Sequence, residues 1–302
     1  MTLSKRAAVA SALVVMLAIA VLWQARGSLP QQSGTTANTA ATKVPPTGSA
    51  GQPPFAGPEV PQGGTDLQAA YVSAKWLLPM IAGLKQRSQA GDAEASFMLS
   101  RIYSDCIWYH DPRLLEPSGI LPERLAGLHR SAAWMAQRCE GIDGTEATLG
   151  FSHYRRLAAD QGSFAAQVED VFAPAQPMHG QGPSPEDQKS VVEMALARRD
   201  PQAYLVLARV LGYPVDATAA LAPFPAGTQA ASAAWMLAAC DAGLPCGPGS
   251  PLLHQLCATG TMCGADSVAD AWGQMLSPQE LEQAQASAAA LQRMSGRQRA
   301  GR

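Results

Sequence analysis

Residues 84–105, LKQRSQAGDAEASFMLSRIYSD, predict two helices joined by a tight turn. Gly91–Asp92 marks the break, because glycine readily adopts the positive φ angle at which many helices end. Small residues open the second segment, which continues with Leu, Phe and Tyr side chains. A helix pair of this kind buries its apolar face against a neighbouring pair. This stretch therefore predicts an α-helical hairpin as the building unit of the fold.

Two further stretches have the same shape. Residues 154–172, YRRLAADQGSFAAQVEDVF, break at Gly162, and residues 193–212, EMALARRDPQAYLVLARVLG, break at Asp200–Pro201. The chain is rich in alanine, the best helix former, and has few alternating Val-, Ile- or Thr-rich runs that would favour strands. We therefore predict an all-α fold, an α-α helical-hairpin repeat array that is either solenoid-like or compact, over residues 65–296.

The first turn carries a family resemblance. Gln89–Ala95, followed by Leu99 and Tyr103, is similar to the A-x-x-G-[DN]-x-x-A turn and the L-x-x-x-Y helix end of the Sel-one-like repeat, a tetratricopeptide relative. Ala159–Gln167 matches the turn without the tyrosine, and the third copy lacks the turn glycine. The resemblance implies a scaffold or binding surface and carries over no catalytic residue. An ordinary globular helical domain is the alternative.

The N-terminal residues 1–27 predict export. The run Ala7–Trp23 carries no charge, and Lys5 and Arg6 precede it, which places the N-terminus inside the cell. In one interpretation, residues 7–23 are a retained single-pass inner-membrane anchor and the bulk of the chain lies in the periplasm. In the other, residues 1–27 are a cleaved signal peptide, and the protein is secreted or soluble in the periplasm.

The flanking segments predict disorder. Residues 28–64 are rich in Pro, Gly, Ser and Thr and hold too few apolar side chains to build a core, so we expect a flexible tether. Residues 297–302 carry three arginines and are expected to form a disordered basic tail. The formal net charge of -2 gives no electrostatic attraction to nucleic acid, so no nucleic-acid partner is predicted.

Export predicts that the cysteines form disulfides, because oxidising compartments preserve such bonds. The pattern C-x-x-G-x-x-C-G occurs twice, and each glycine can turn the chain back after a helix, which favours the two local pairs Cys240–Cys246 and Cys257–Cys263. Cys106 and Cys139 would then form the remaining pair, a hypothesis among the 15 pairings that six cysteines allow. A zinc site made by the four C-terminal cysteines is the alternative, although C-x5-C is not a common zinc knuckle. We predict no metal and no cofactor.

Common catalytic motifs such as H-E-x-x-H and G-x-S-x-G are absent from the sequence. The most site-like stretch is Asp105–Pro112, where a carboxylate beside His110 could orient a general base. Its structural alternative is an aromatic loop held by the Cys106 disulfide. Trp134 and Trp235 each occur in Ala-Ala-Trp-Met, and we expect both in the core rather than in a ligand groove.

Two functions follow from these features. The first is a non-catalytic, exported, membrane-tethered helical scaffold or binding domain for a protein or cell-envelope partner, attached to the inner membrane through residues 7–23. The alternative is an exported hydrolase that acts on peptide or cell-wall substrate with a site near Asp105–Asp111. The sequence does not specify an oligomeric state.

Overall fold

The computed structural model describes residues 64–107, 122–172, 184–213, 219–259 and 262–300, all within the unit Pro54–Arg302. The regular secondary structure in these ranges is entirely α-helical, so the all-α prediction is confirmed there. The predicted anchor, residues 7–23, and the predicted tether up to residue 63 lie outside the described residues. Within the described part of the chain, no helix is long and apolar enough to cross a membrane.

Twelve helices follow one another through the described ranges. They are α1 (Gly64–Ser73), α2 (Leu78–Gln89), α3 (Ala93–Ile107), α4 (Pro122–Arg138), α5 (Gly144–Asp160), α6 (Phe164–Phe172), α7 (Pro185–Arg198), α8 (Pro201–Val210), α9 (Gln229–Asp241), α10 (Pro251–Ala258), α11 (Val268–Gly273) and α12 (Pro278–Ala300). The last helix continues four residues beyond residue 296, where we expected the tail to begin. Flanking alanine and arginine residues favour helix and offset the cost of Gly296.

Local side-chain hydrogen bonds start several of these helices. Ser184 and Asp187 form a reciprocal capping box at the start of α7. The same arrangement opens α12, where the Glu280 N–H donates to Ser277 Oγ at 3.3 Å and the Ser277 N–H donates to Glu280 Oε2 at 2.9 Å. Asp200 caps α8 by accepting from two backbone N–H groups. Each such cap stabilises the fold by about 1 kcal/mol.

The predicted breaks lie where the sequence places them. Gly91, Gly162 and Gly243 have φ angles of 90°, 99° and 112°, a region that side chains with a Cβ rarely enter. Pro79 lies in the first turn of α2, and residues 74–77 separate this helix from α1. Proline tolerates this position because the first helical N–H groups need no partner within the helix.

The helices pack in a defined order. Turns at Gly91, Gly162 and Asp200 connect α2 to α3, α5 to α6 and α7 to α8. Helix α3 packs along α5, α6 packs on α8, α8 on α9, and α9 on the long α12. Helix α4 packs instead on α10, which brings a C-terminal helix against the N-terminal half of the domain.

Two apolar clusters fill the interior. One is built mainly from α1 to α5, and the other extends from α3 to α12. Trp235 is completely buried in the second cluster, which confirms its predicted place in the core. In the first cluster, the buried ring of Tyr103 on α3 lies directly against the backbone of Gly150 on α5. A Cβ atom added at Gly150 would lie 2.6 Å from that ring, so the two helices approach more closely than any larger residue permits.

Replacing Gly150 with alanine is therefore expected to separate α3 from α5. We expect Gly150→Ala to lower the free energy of unfolding by about 1–3 kcal/mol, the usual cost of overpacking a core. Urea unfolding with the disulfides intact measures this change. Gly296→Ala is the matched control: no heavy atom lies within 4 Å of its added Cβ, so it should be neutral or stabilising. Equal effects of the two variants would contradict the close-packing argument.

Candidate functional site

The six cysteines form three disulfides, joined in the pairs Cys106–Cys139, Cys240–Cys246 and Cys257–Cys263. These are the pairs that the sequence predicts. The thiols that the zinc alternative requires are therefore oxidised in the structure. In the ranges that the structure describes, no three His, Cys, Asp or Glu side chains are grouped so that they could hold a metal ion.

The Cys106–Cys139 disulfide joins the ends of α3 and α4 and brings two charged neighbours into the interior. Asp105 precedes Cys106 and is 6% exposed, whereas Arg138 precedes Cys139 and is 1% exposed. The Tyr71 hydroxyl of α1 donates a hydrogen bond to Asp105 Oδ2. Buried charges are costly unless opposite charges and hydrogen bonds accompany them. The disulfide thus lies beside a polar cluster that links α1, α3 and α4.

Arg138 also caps the C-terminal end of α1. Its Nη2 donates to the backbone oxygen of Tyr71 at 2.7 Å, and its Nη1 donates to the backbone oxygen of Ala74. The last carbonyl groups of a helix have no partner within the helix, so a side-chain cation at that position satisfies them and interacts favourably with the helix dipole. One guanidinium group therefore caps α1 from another helix.

Aromatic rings surround the two arginines of this cluster. The guanidinium carbons of Arg101 and Arg138 lie 4.7 Å and 5.0 Å from the centre of the Tyr71 ring. Arg138 also lies 4.6 Å from the centre of the Trp134 ring, and Trp134 in turn stacks on His254 of α10 with ring centres 4.0 Å apart. Cation–π contacts of this kind are strongest where water is excluded. The contacts extend the cluster from α1 through α4 to α10.

Amide side chains connect the cluster to the C-terminal half of the domain. Arg101 Nη1 donates to Gln68 Oε1 at 2.9 Å and to Gln202 Oε1 at 2.6 Å. Gln202 Nε2 donates to Gln68 Oε1 at 2.9 Å. These bonds join α1, α3 and α8, which lie far apart in the chain. Sequence reasoning singled out neither glutamine, because no local pattern brings residues 68 and 202 together.

The electrostatics of Asp105 favour a structural role. Burial raises the pKa of its carboxyl, and Arg101, the Tyr71 hydrogen bond and Arg138 act in the opposite direction. Burial likewise raises the pKa of the Tyr71 hydroxyl, and the nearby Asp105 charge adds to this effect. Asp105 contacts its own domain rather than an open cleft. Of the predicted hydrolase stretch, His110 and Asp111 lie outside the described residues.

The surface next to this cluster carries an open groove of about 700 Å³, which we call the α4 groove. It is lined by residues from the last turns of α4 and the segment that follows, namely Ala133, Trp134, Ala136, Gln137, Cys139, Glu140, Gly141 and Ile142. Trp134 packs against the first apolar cluster but is only partly buried, so its predicted place in the core is confirmed only in part. His254 stacks on this ring without enclosing it, and the ring remains part of the groove wall.

Exposed apolar residues form one rim of the α4 groove. Trp76, in the segment that joins α1 to α2, and Leu78, the first residue of α2, are 43% and 45% exposed. The Trp76 indole N–H donates to Glu140 Oε2 at 3.3 Å, and the Leu78 side chain lies against Gly141. Lys75 Nζ lies 4.3 Å from the centre of the Trp76 ring. The run Lys-Trp-Leu-Leu-Pro at a helix break is the sequence signal that could have indicated this rim.

Removing the Arg138 guanidinium is expected to destabilise the whole cluster. Arg138→Met removes the side-chain donors from the Tyr71 and Ala74 carbonyls and takes a cation away from Asp105, so we expect the free energy of unfolding to fall by about 2–4 kcal/mol. Urea unfolding of the oxidised protein measures the loss. Arg156→Met, on the exposed face of α5, is the control and should change stability by less than about 0.5 kcal/mol. A loss no larger than that of the control would show that Arg138 is dispensable.

The pKa of His254 predicts a pH dependence of stability. Burial, and then the charge of Arg138, lower this pKa below its usual 6.5. At acidic pH the folded protein therefore binds fewer protons than the unfolded chain. The contribution of the neutral His254 ring to the free energy of unfolding is complete above pH 6.5 and is lost as the pH falls through and below that value. We expect His254→Gln to lose less stability than the wild type between pH 7.5 and pH 5, as measured by urea unfolding. The exposed His153→Gln should behave as the wild type does, and an unchanged pH slope in His254→Gln would refute the assignment.

Comparison with protein-family models, with curated proteins and with solved structures finds no match to this chain. The resemblance to the Sel-one-like repeat accordingly depends on the turn motifs at Gly91 and Gly162.

Proposed function

We propose that this protein is an exported helical binding domain, tethered to the inner membrane through residues 7–23, that holds a protein or cell-envelope partner in the α4 groove. The observation that carries the proposal is the pair of exposed side chains, Trp76 and Leu78, beside an open groove of about 700 Å³. Binding sites for small molecules have volumes of about 300–1,000 Å³, and the α4 groove falls in this range. Tryptophan is also strongly enriched among the residues that dominate binding energy.

The covalent and polar contacts around the α4 groove support a binding role, because they hold its wall in place. The Cys106–Cys139 disulfide lies at the groove wall, and Arg138 holds the neighbouring end of α1. A surface that is already ordered loses less conformational entropy when a partner binds, and this improves affinity. The three disulfides also support the export hypothesis, since such bonds are rare in reducing compartments.

Contacts between successive turns support the repeat interpretation. Ser88 Oγ lies 2.6 Å from Ser96 Oγ across the first turn, and Ser96 Oγ donates to Gln161 Oε1 of the second turn at 2.5 Å. Gln161 Nε2 donates back to the Ser88 carbonyl at 2.8 Å. In a stacked repeat each hairpin contacts its neighbours, and these bonds join two turns that the sequence places in equivalent positions. We therefore propose that the domain is a divergent Sel-one-like array.

The chemistry of the groove favours binding over hydrolysis. Among the described residues that line it, Glu140 is the single ionisable side chain apart from the oxidised Cys139. Hydrolysis by acid–base catalysis needs a positioned acid and a positioned base. The remaining groups of the groove wall are aromatic, small or amide side chains, which supply contact area and hydrogen bonds rather than proton transfer.

Photocrosslinking in cells that make this protein tests the proposed function. A photoreactive amino acid placed at position 76 in the full-length chain is expected to give a discrete adduct with one partner, because this position lies on the groove rim. The matched control carries the same group at position 149, where Leu149 is 67% exposed on α5. Mass spectrometry identifies the adduct.

Deletion of residues 7–23 supplies the second control. A chain kept in the reducing cytosol should have free thiols and should lose the adduct at position 76, whereas the full chain should resist alkylation until a reductant is added. A full chain that yields no adduct at either position, or that carries alkylatable thiols in native cells, would overturn the proposed function.

A further inference from the structure

We infer that the α4 groove binds a positively charged, partly apolar peptide segment of another exported polypeptide. The inference rests on the proposed binding function and adds the chemistry of the partner. It is carried by the charge of the groove, by the aromatic rim and by the nature of the remaining wall.

The charge that the lining itself contributes is negative, whereas Lys75 places a positive charge on the rim. Glu140 is exposed and is the sole charged side chain among the described residues of the lining. The groove also lies at the C-terminal end of α4, a helix of 17 residues, where the helix dipole is negative. The cation of the last turn, Arg138, is buried, bonded to the carbonyls of α1 and close to Asp105. The carboxylate of Glu140 therefore favours a positive charge of a partner beside it, at the end of α4.

The rim contains a pair of groups suited to an ammonium or guanidinium ion. The hydrogen bond from Trp76 Nε1 to Glu140 Oε2, 3.3 Å long, holds an indole ring and a carboxylate side by side. An aromatic face together with a carboxylate recognises such cations. Within the chain itself, Lys75 already places its ammonium 4.3 Å from the centre of the Trp76 ring. A lysine of a partner would compete with Lys75 for this position.

The rest of the wall suits a peptide. Trp134 and Leu78 offer apolar contact, and Ala133 and Ala136 leave room for a chain to approach α4. The exposed amide of Gln137 can both donate to and accept from a peptide backbone. A bilayer fits less well, because anionic headgroups would be repelled by Glu140.

Fluorescence anisotropy with three labelled octapeptides tests the inference, using the oxidised full-length protein in detergent. The probes alternate leucine with lysine, serine or glutamate. The lysine probe is expected to bind most tightly. Glu140→Gln should weaken its binding by about two- to fivefold, the usual effect of one exposed charge pair, and should leave the serine probe unchanged. Lys75→Met should tighten the lysine probe by a similar factor, because it removes the competing ammonium.

Charge reversal makes the test specific. Glu140→Lys should move the preference toward the glutamate probe, whereas Leu149→Ala, on α5, should leave all three affinities unchanged. Equal affinities for the three probes would overturn the inference, as would a preference that ignores both Glu140 variants. Binding to phosphatidylglycerol vesicles in place of the lysine probe would overturn it as well.

If crosslinks in cells form from position 149 alone, the binding function stands and the groove assignment fails; if no crosslink forms at all, both fail.

Discussion

The buried guanidinium of Arg138 is the interaction on which the N-terminal half of the domain depends. It satisfies two carbonyls at the end of α1, contacts the rings of Tyr71 and Trp134, and lies near the carboxyl of Asp105. The adjacent disulfide, Cys106–Cys139, holds the two helix ends that carry these charges. Because a buried charge is tolerated only when its partners are held in place, the covalent bond and the polar cluster support each other.

The position of the α4 groove follows from this arrangement. Capping α1 with a residue of α4 places the segment between α1 and α2 beside the end of α4, and the Leu77 N–H donates to the Arg138 carbonyl at 2.8 Å. Trp76 and Leu78, on either side of Leu77, are thereby left at the surface next to Glu140. The same contacts that close the interior thus leave an aromatic rim exposed, so the candidate binding surface depends on the packing of the interior.

The sequence was most informative where structure is local. The glycine break at Gly91 and the serine cap at Ser277 depend on residues three or four positions apart, so their chemistry can be recognised without knowledge of the fold. The short cysteine pairs could be predicted for the same reason. Trp134 shows where such reasoning ends: its spacing is that of a core residue, but its burial depends on how closely α10 approaches, and α10 begins more than a hundred residues later.

By itself, the sequence determined the helical class and the sites of the main helix breaks, and it favoured the two short-range cysteine pairs, because each depends on backbone preferences or on short stretches of chain. Tertiary structure alone decided that Gln68, Arg101 and Gln202 would share hydrogen bonds, and that Trp76 would lie beside Glu140. The physical reason is the distance along the chain. Contacts between residues tens to hundreds of positions apart arise from the packing of whole helices, and no short sequence pattern encodes them.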